Sequence, residues 1–240
     1  MASFFYIIPI FVVFTLWLSF LSFMAPTISG PEEIALRFPT SFDDLFSLSK
    51  LFKAYLESNR TYMFCLFISA YLYKQAFCIP GSALLNILGG AIFGLWTALP
   101  LCCFLTGLGA TLSYLLSKSF AEDLVLHFWS KEVDRIRTKI ASHNDELLFF
   151  LLSLRLMPLT PNWLLNLISP IVGVPLPLFF ITVFLGLIPY NYICIQAGAM
   201  LGSISSFDDV LTSKTMLQLS GLAFVVIIPG IVKRYVKLEK

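Results

Sequence analysis

Two basic residues stand inside long apolar stretches of this 240-residue chain, where a charge is costly. Lys74 lies six positions before Pro80, and Arg155 lies six positions before Pro161. Ionisable side chains in apolar sequence usually face a cavity, because burial would otherwise strip them of their hydration. Arg can hold a phosphate through two parallel hydrogen bonds, and Lys can act as a point charge. The chemistry that these residues indicate is the binding of an anion.

The sequence around the two cations occurs twice in a similar form. Residues 73–94 and 154–175 align with one residue of slack, and in both copies a Leu-Leu-Asn triplet follows the proline. A backbone broken at membrane depth is tolerated only where protein buries it or water reaches it. We therefore predict two helical hairpins with breaks at Pro80 and Gly81, and at Pro158 and Pro161.

Two facing hairpins of this kind would enclose a hydrated, weakly basic groove. The side chains predicted to line the groove are Lys74, Ser82, Asn86, Arg155, Asn162 and Asn166. A groove of this kind could shield a phospholipid head group while the lipid tails stay in the bilayer. Plainer roles stay open: Arg155 could bond backbone carbonyls freed at the prolines, Lys74 could reach the nearer membrane surface, and the asparagines could bond neighbouring helices.

No catalytic residues, metal site or cofactor are predicted. The apolar segments contain no Asp, Glu or His that could serve as a general base. The five cysteines show no CxxC spacing, the two histidines lack a partner at metal-site spacing, and there is no GxxxxGK[ST] loop. We therefore do not expect an enzyme, and a net charge of +2 does not indicate a nucleic-acid partner.

Composition indicates an all-α integral membrane protein. The chain is 58% hydrophobic and only 12% charged, about half the usual charged share of a soluble domain. Four apolar segments are predicted to cross the bilayer completely, namely residues 4–24, 95–117, 176–200 and 216–232. With the basic C-terminal tail in the cytosol, both termini are cytosolic and the two hairpins enter from opposite sides. The predicted fold is thus an inverted repeat of two re-entrant helical hairpins plus about four full transmembrane helices, a plan known in transporters.

The predicted membrane topology divides the chain into four regions. Residues 1–30 form an N-terminal transmembrane anchor, and residues 31–60 a luminal or interfacial amphipathic segment. Residues 61–200 form the core with hairpins at 62–94 and 147–174, and residues 201–240 a last transmembrane helix with the basic tail. Six full crossings would instead make the two copies parallel. We favour four crossings because they place more basic residues in the cytosol.

Three stretches also carry a resemblance to a known family: AYLYKQAFCIPGSALLNILGGAIFG, LRLMPLTPNWLLNLISPIVGVP and GLIPYNYICIQAG. They resemble the DedA superfamily, also called the VTT or SNARE-associated Golgi protein family, and within it the eukaryotic transmembrane protein 41 branch. The resemblance runs from about Phe38 to the last apolar segment. It implies two re-entrant hairpins in inverted orientation, residence in the endoplasmic reticulum, and energy-independent phospholipid scrambling.

The resemblance also carries differences that bear on mechanism. Bacterial relatives are similar to proton-linked carriers of a polyprenyl phosphate lipid, with an acidic residue after Pro-Gly and two arginines in the second hairpin. Here Ser82 stands at the acidic position, Arg155 matches the first arginine, and the second is replaced near Asn162. Passive lipid movement needs no such carboxylate, so its replacement by Ser82 argues against proton coupling without removing it as an alternative.

Partners and rival functions follow from the same reading. The expected partners are phospholipids and the membrane itself, with membrane-protein partners or a homo-oligomer left open. One rival function is an ion- or proton-coupled transporter of an anionic lipid or solute. Another is a non-transporting scaffold that binds membrane proteins through predicted surface helices at residues 40–56 and 121–140.

Overall fold

The computed structural model describes residues 6–26, 51–142, 147–156 and 161–203. Within these ranges the predicted all-α class is confirmed, because helices and their connections account for all of the described chain. The helices are α1 Ile7–Phe23, α2 Arg60–Ala76, α3 Ser82–Phe93, α4 Leu95–Leu116, α5 Glu122–Ser142, α6 Leu147–Leu156, α7 Asn162–Ile168, α8 Leu176–Gly186 and α9 Ile188–Ser203. A π-helical turn, Ser117–Ala121, joins α4 to α5, and residues 51–58 are also helical.

The predicted membrane crossings differ in whether the structure shows a helix long and apolar enough to span a membrane. Among the described residues, Leu95–Ala121 is the one continuous helical stretch long and apolar enough to cross a membrane, and α8 with α9 qualifies as a bent pair at 41°. The bend falls just before Pro189. In a straight helix the proline ring would clash with the backbone carbonyl one turn earlier. The first predicted crossing contains α1, an apolar helix of 17 residues, and the crossing predicted at 216–232 lies outside the described residues.

Helices α2 and α3 lie side by side and antiparallel, as the first predicted hairpin requires. As the residue number increases along α2, the contacted residue number in α3 decreases. They join the rings of Phe64 and Phe93 with centroids 4.6 Å apart, the Tyr71 hydroxyl to Asn86 Oδ1 at 2.8 Å, and the Lys74 ammonium to the Ser82 hydroxyl. The register therefore brings Lys74 of α2 next to the first turn of α3.

The break between α2 and α3 is closed by a helix-ending motif. Cys78 has a left-handed φ of 54°, and the amides of Cys78 and Ile79 donate to the carbonyls of Gln75 and Lys74 at 3.3 and 3.0 Å. This 5→2 and 6→1 pair is the Schellman arrangement, which usually has glycine at the left-handed position. Gly81, with φ 111°, is the N-cap of α3, so the helices on either side of Pro80 and Gly81 are separate.

The second broken segment shares several features with the first. Helix α6 ends at Leu156, and α7 starts after Pro161, whereas Pro158 lies outside the described residues. Arg155 Nη1 donates to Asn166 Oδ1 at 3.2 Å, so a hydrogen bond to an asparagine oxygen joins α6 to α7 as another joins α2 to α3. A glycine with positive φ precedes the next helix in both segments, Gly94 at 72° before α4 and Gly173 at 89° before α8.

In each case the helix that follows the broken segment carries a glycine, and the first helix of the broken segment packs closely against that glycine. A methyl group added to Gly109 of α4 would lie 2.5 Å from Gln75 Cβ. A methyl group added to Gly186 of α8 would lie 2.9 Å from Arg155 Cβ. Small residues at such positions let helices approach closely. As a result α2 packs on α4, and α6 packs on α8.

Helices α3 and α9 come closer still, because their backbones touch. An added methyl group would lie 2.0 Å from the Ile195 carbonyl oxygen at Gly90, and 1.8 Å from the Ile87 carbonyl oxygen at Gly198. No side-chain rotation could relieve either contact, since the neighbour is backbone. This crossing fixes α9 across the first hairpin.

A ring of polar side chains from four helices lies beside this crossing. The Tyr71 hydroxyl donates to Asn86 Oδ1 and lies 2.7 Å from Thr106 Oγ1. Asn86 Nδ2 donates to Asn191 Oδ1 at 2.8 Å, and Asn191 Nδ2 donates to Thr106 Oγ1 at 3.3 Å. The members come from α2, α3, α4 and α9, and we call them the polar ring. Asn191 therefore joins α9 to both α3 and α4.

Helix α5 is held against the turn that follows α7. Arg137 donates to the Ile171 carbonyl from both Nε and Nη2, at 3.0 and 2.7 Å. Val125 and Val133 of α5 are buried on the same side. The helix predicted at 121–140 is thus confirmed, with one face packed on the core and with exposed charged residues such as Lys131 and Asp134 on the other.

The glycine crossing predicts a contrast between chemically identical substitutions. Gly90→Ala and Gly198→Ala should each lower stability by about 1–3 kcal/mol, as overpacking does in a close-packed interior. Gly107→Ala is the matched control, because its nearest neighbour is the movable ring of Phe180 and alanine is the better helix former by about 1 kcal/mol. Thermal unfolding of the detergent-purified variants measures the difference. Equal melting temperatures for Gly90→Ala and Gly107→Ala would contradict the backbone contact.

The polar ring predicts strong coupling between Asn86 and Asn191. Asn86→Leu alone leaves buried partners unbonded, which costs about 1–3 kcal/mol, while the double variant with Asn191→Leu should lose clearly less than the sum of the single losses. A double-mutant cycle on unfolding free energy measures this. Ser153→Ala is the control, since its hydroxyl bonds only Phe149 O in its own helix. Additive losses would show that the two asparagines do not interact.

Candidate functional site

A cavity of about 340 Å³ lies between the tip of the first hairpin, α7 and α9. Its size falls in the range of small-ligand sites. The polar ring forms one wall, because Tyr71, Thr106 and Asn191 all line the cavity. Further polar side chains and backbone on the lining come from both broken segments, namely Lys74, Gln75, Pro80, Gly81, Ser82, Asn162 and Asn166.

Lys74 is the cation of this cavity. Its side chain is only 8% exposed, and its ammonium donates to Gln75 Oε1 at 3.2 Å and to the Ser82 hydroxyl. Both partners are neutral, and no ion pair joins Lys74 to a carboxylate of the described residues. In its contact with Ser82 the ammonium donates and the hydroxyl accepts.

Arg155 does not line the cavity, contrary to the sequence-based expectation. It is 4% exposed, with its guanidinium carbon 4.9 Å from the centre of the Phe179 ring and its Nε without a hydrogen-bond partner. The cause is the packing of α6 on Gly186, which directs the side chain between α7 and α8. Arg155 reaches the cavity only through Asn166, whose Oδ1 it bonds.

Asn86 also stands behind the lining, because the polar ring encloses it completely. Of the six residues predicted for the groove, the structure therefore places four on one cavity and two directly behind it. The two behind are Asn86 and Arg155, and each bonds a residue that does line the cavity. Pro161 lies exposed at the start of α7, outside the lining.

Sequence reasoning did not assign several of the lining residues to the groove. Trp163 and Tyr190 are 53% and 42% exposed, so they stand at the mouth of the cavity. Neither differs in the sequence from the many aromatic residues of apolar helices. A signal did exist for Thr106, since hydroxyl side chains in apolar helices often bond neighbouring helices. The groove prediction also omitted Gln75 and Cys78, which flank the break, and Tyr71 and Asn191 of the polar ring.

The arrangement suits the binding of an amphipathic anion. One buried cation, neutral amide and hydroxyl groups, and exposed aromatic rings share a single cavity. Apolar walls with a few convergent polar groups are typical of ligand sites. Among the described residues, no carboxylate lines this cavity to neutralise Lys74.

Comparison with known proteins agrees with the resemblance seen in the sequence. The family model of the VTT domain matches residues 79–200, from the break of the first hairpin into α9. A transmembrane protein 41 homologue of Caenorhabditis elegans is 32% identical over 212 residues, which cover 88% of this chain and 86% of the relative. A homologue of Drosophila melanogaster is 33% identical over 231 residues, 96% of this chain and 72% of the relative.

The chain spans less than two thirds of the length of a third relative. The transmembrane protein 41 homologue of Dictyostelium discoideum is 33% identical over 214 residues, and these cover 89% of this chain but 64% of the relative. No solved structure matches. The relatives are named as transmembrane proteins, in agreement with the apolar composition and with the long apolar stretch Leu95–Ala121. This chain is therefore a membrane protein of the VTT-domain family and belongs with its transmembrane protein 41 members.

Proposed function

We propose that the protein is an energy-independent phospholipid scramblase of the endoplasmic reticulum membrane. The observation that carries the proposal is the cavity between the two broken segments, with the Lys74 ammonium buried in it beside neutral partners. A lipid phosphate supplies the negative charge that this ammonium lacks. The lipid tails stay in the bilayer, outside the exposed rings of Trp163 and Tyr190.

Passive exchange fits the chemistry of the lining better than coupled transport. A proton-coupled carrier needs a group that gains and loses a proton along the path, and a carboxylate is the usual choice at membrane depth. Ser82 and Asn162, which line the cavity, cannot take that role. The proposed lipid therefore moves down its own concentration difference in either direction.

In the bilayer we propose two re-entrant hairpins in inverted orientation, with both termini in the cytosol. Support comes from the features that the two segments share. Each has a broken helix pair, a glycine with positive φ, and a following helix whose glycine receives the broken helix. The first hairpin then enters from the lumen, the second enters from the cytosol, and the cavity lies where their tips approach.

This orientation predicts the sidedness of two exposed positions. In a variant without native cysteines, Lys131→Cys on α5 should react with a membrane-impermeant maleimide in sealed, cytosol-side-out microsomes. Thr97→Cys, near the start of α4, should react only after detergent is added. The measurement is the fraction labelled before and after permeabilisation. Protection of Lys131→Cys before detergent would favour six crossings and overturn the inverted arrangement.

The proposed activity predicts lipid exchange by the purified protein. Vesicles containing the protein and a trace of fluorescent phospholipid receive a membrane-impermeant reductant, with no nucleotide and no ion gradient. Fluorescence should fall well beyond the outer-leaflet half, and protein-free vesicles should stop at that half. Arg155→Ala should slow the exchange about tenfold while still inserting, because Asn166 loses a charged hydrogen-bond donor worth about 1.5–3 kcal/mol.

Lys131→Met is the charge-matched control, because it removes one exposed cation far along the sequence from the cavity residues. A wild-type protein that stops at the outer-leaflet half would sink the scramblase proposal. Exchange that appears only with a proton gradient would favour the coupled carrier. An Arg155→Ala protein that is made at normal level and exchanges lipid at the normal rate would remove Arg155 from the mechanism.

A further inference from the structure

We infer that the phosphodiester of a glycerophospholipid binds at one subsite of the cavity, made by the Lys74 ammonium and the first turn of α3. The inference rests on the proposed scramblase function and names the part of the lipid that the cavity recognises. It also gives the two buried cations different roles: Lys74 contacts the phosphate, and Arg155 hydrogen-bonds Asn166.

The hydrogen bonds of Lys74 leave room for one more partner. An ammonium carries three donor positions, and two are used by Gln75 Oε1 and the Ser82 hydroxyl. The third has no acceptor among the described residues, although the side chain is more than nine-tenths buried and lines the cavity. A buried charge without a counter-charge is costly, so an anion in the cavity would remove a large penalty.

The first turn of α3 adds donors at the same wall. Gly81 caps this 12-residue helix with no side-chain hydrogen bond, and the Leu85 amide is the one that bonds the Gly81 carbonyl, at 3.3 Å. The amides before Leu85 therefore lack partners within the helix. Gly81, Ser82 and Ala83 all line the cavity, so the positive end of the helix dipole faces it. Amides at a helix start beside a lysine are a recurrent phosphate site.

The rest of the cavity fits the remainder of the lipid. A phosphodiester carries one negative charge, which matches one ammonium, and it has organic substituents on two sides. Asn166 lines the cavity, and its Oδ1 accepts from Arg155 Nη1, which leaves its amide N–H donors and one oxygen lone pair for a ligand. The exposed rings of Trp163 and Tyr190 lie at the mouth, where the apolar part of a lipid would continue into the bilayer.

The decisive experiment compares two lipids in the vesicle lipid-exchange assay described above. One is a fluorescent phosphatidylcholine, and the other is a glucosylceramide with the same labelled chain and no phosphate. Wild-type protein should exchange the phospholipid and leave the glycolipid at the protein-free rate. Lys74→Met should slow phospholipid exchange about tenfold or more, since a charged hydrogen bond is worth about 1.5–3 kcal/mol, and Lys131→Met should exchange at the wild-type rate.

Two substitutions at Ser82 separate charge from shape. Ser82→Asp places a carboxylate beside the Lys74 ammonium, competes with the phosphate, and should slow phospholipid exchange as much as Lys74→Met. Ser82→Ala removes only a neutral acceptor from the ammonium, so it should slow phospholipid exchange clearly less than Ser82→Asp does. These variants also keep the inference testable if Lys74→Met fails to insert. Equal rates for Ser82→Asp and Ser82→Ala would overturn it.

The outcomes distinguish the subsite from the function. If wild-type protein exchanges both lipids equally, the phosphate subsite is wrong and the scramblase function stands. If it exchanges neither lipid, the scramblase proposal is wrong. The phosphate subsite is then tested by a binding measurement. Dihexanoylphosphatidylcholine, added below its micelle concentration to protein in maltoside detergent, should then change the tryptophan fluorescence saturably, and Ser82→Asp should abolish the change. No saturable change in wild type, or one that survives in both Ser82→Asp and Trp163→Phe, overturns the inference.

Discussion

The hydrogen bond between Asn86 and Asn191 is the interaction on which the rest of the site depends. A buried amide must be bonded, and in a membrane there is little water to do so. The bond forms only because α3 and α9 touch at Gly90 and Gly198, where any side chain would force the helices apart. Tyr71 and Thr106 complete the ring and become one wall of the cavity. The shape of the site thus follows from two glycines that carry no chemistry of their own.

The two buried cations occupy matching places in the two broken segments but have different surroundings. Lys74 lies at the tip of the first hairpin beside two neutral oxygens and the cavity. Arg155 lies across the Phe179 ring with Asn166 as its bonded neighbour. The difference follows from side-chain shape, since a planar guanidinium can stack on a ring and bond an amide at once, while an ammonium acts as a point charge. Similar sequence positions have therefore given one side chain that faces the cavity and one that supports it.

Much of the fold could be predicted from sequence, because it rests on strong local signals. Pro80 and Gly81 end one helix and begin another, and the run from Leu95 is apolar over enough residues to cross a bilayer. The lining of the cavity was predicted less well. Asn86 and Arg155 were expected on it, yet whether a polar side chain faces a cavity or a neighbouring helix depends on rotation about helix axes. That rotation is set by contacts distant in sequence, such as Gly186 against Arg155, which have no local signature.

The polar ring has a consequence for what can pass through the protein. Its hydroxyl and amide groups are bonded to one another, so a molecule arriving from the cavity finds few free partners there and would have to break these bonds to go deeper. Within the part of the chain that the structure describes, the polar ring thus closes one side of the cavity. A lipid that crosses would, under the proposed function, slide along the outer side, past Trp163 and Tyr190. Under the proposed function, the leaflets can equalise their lipids while the membrane remains sealed to ions.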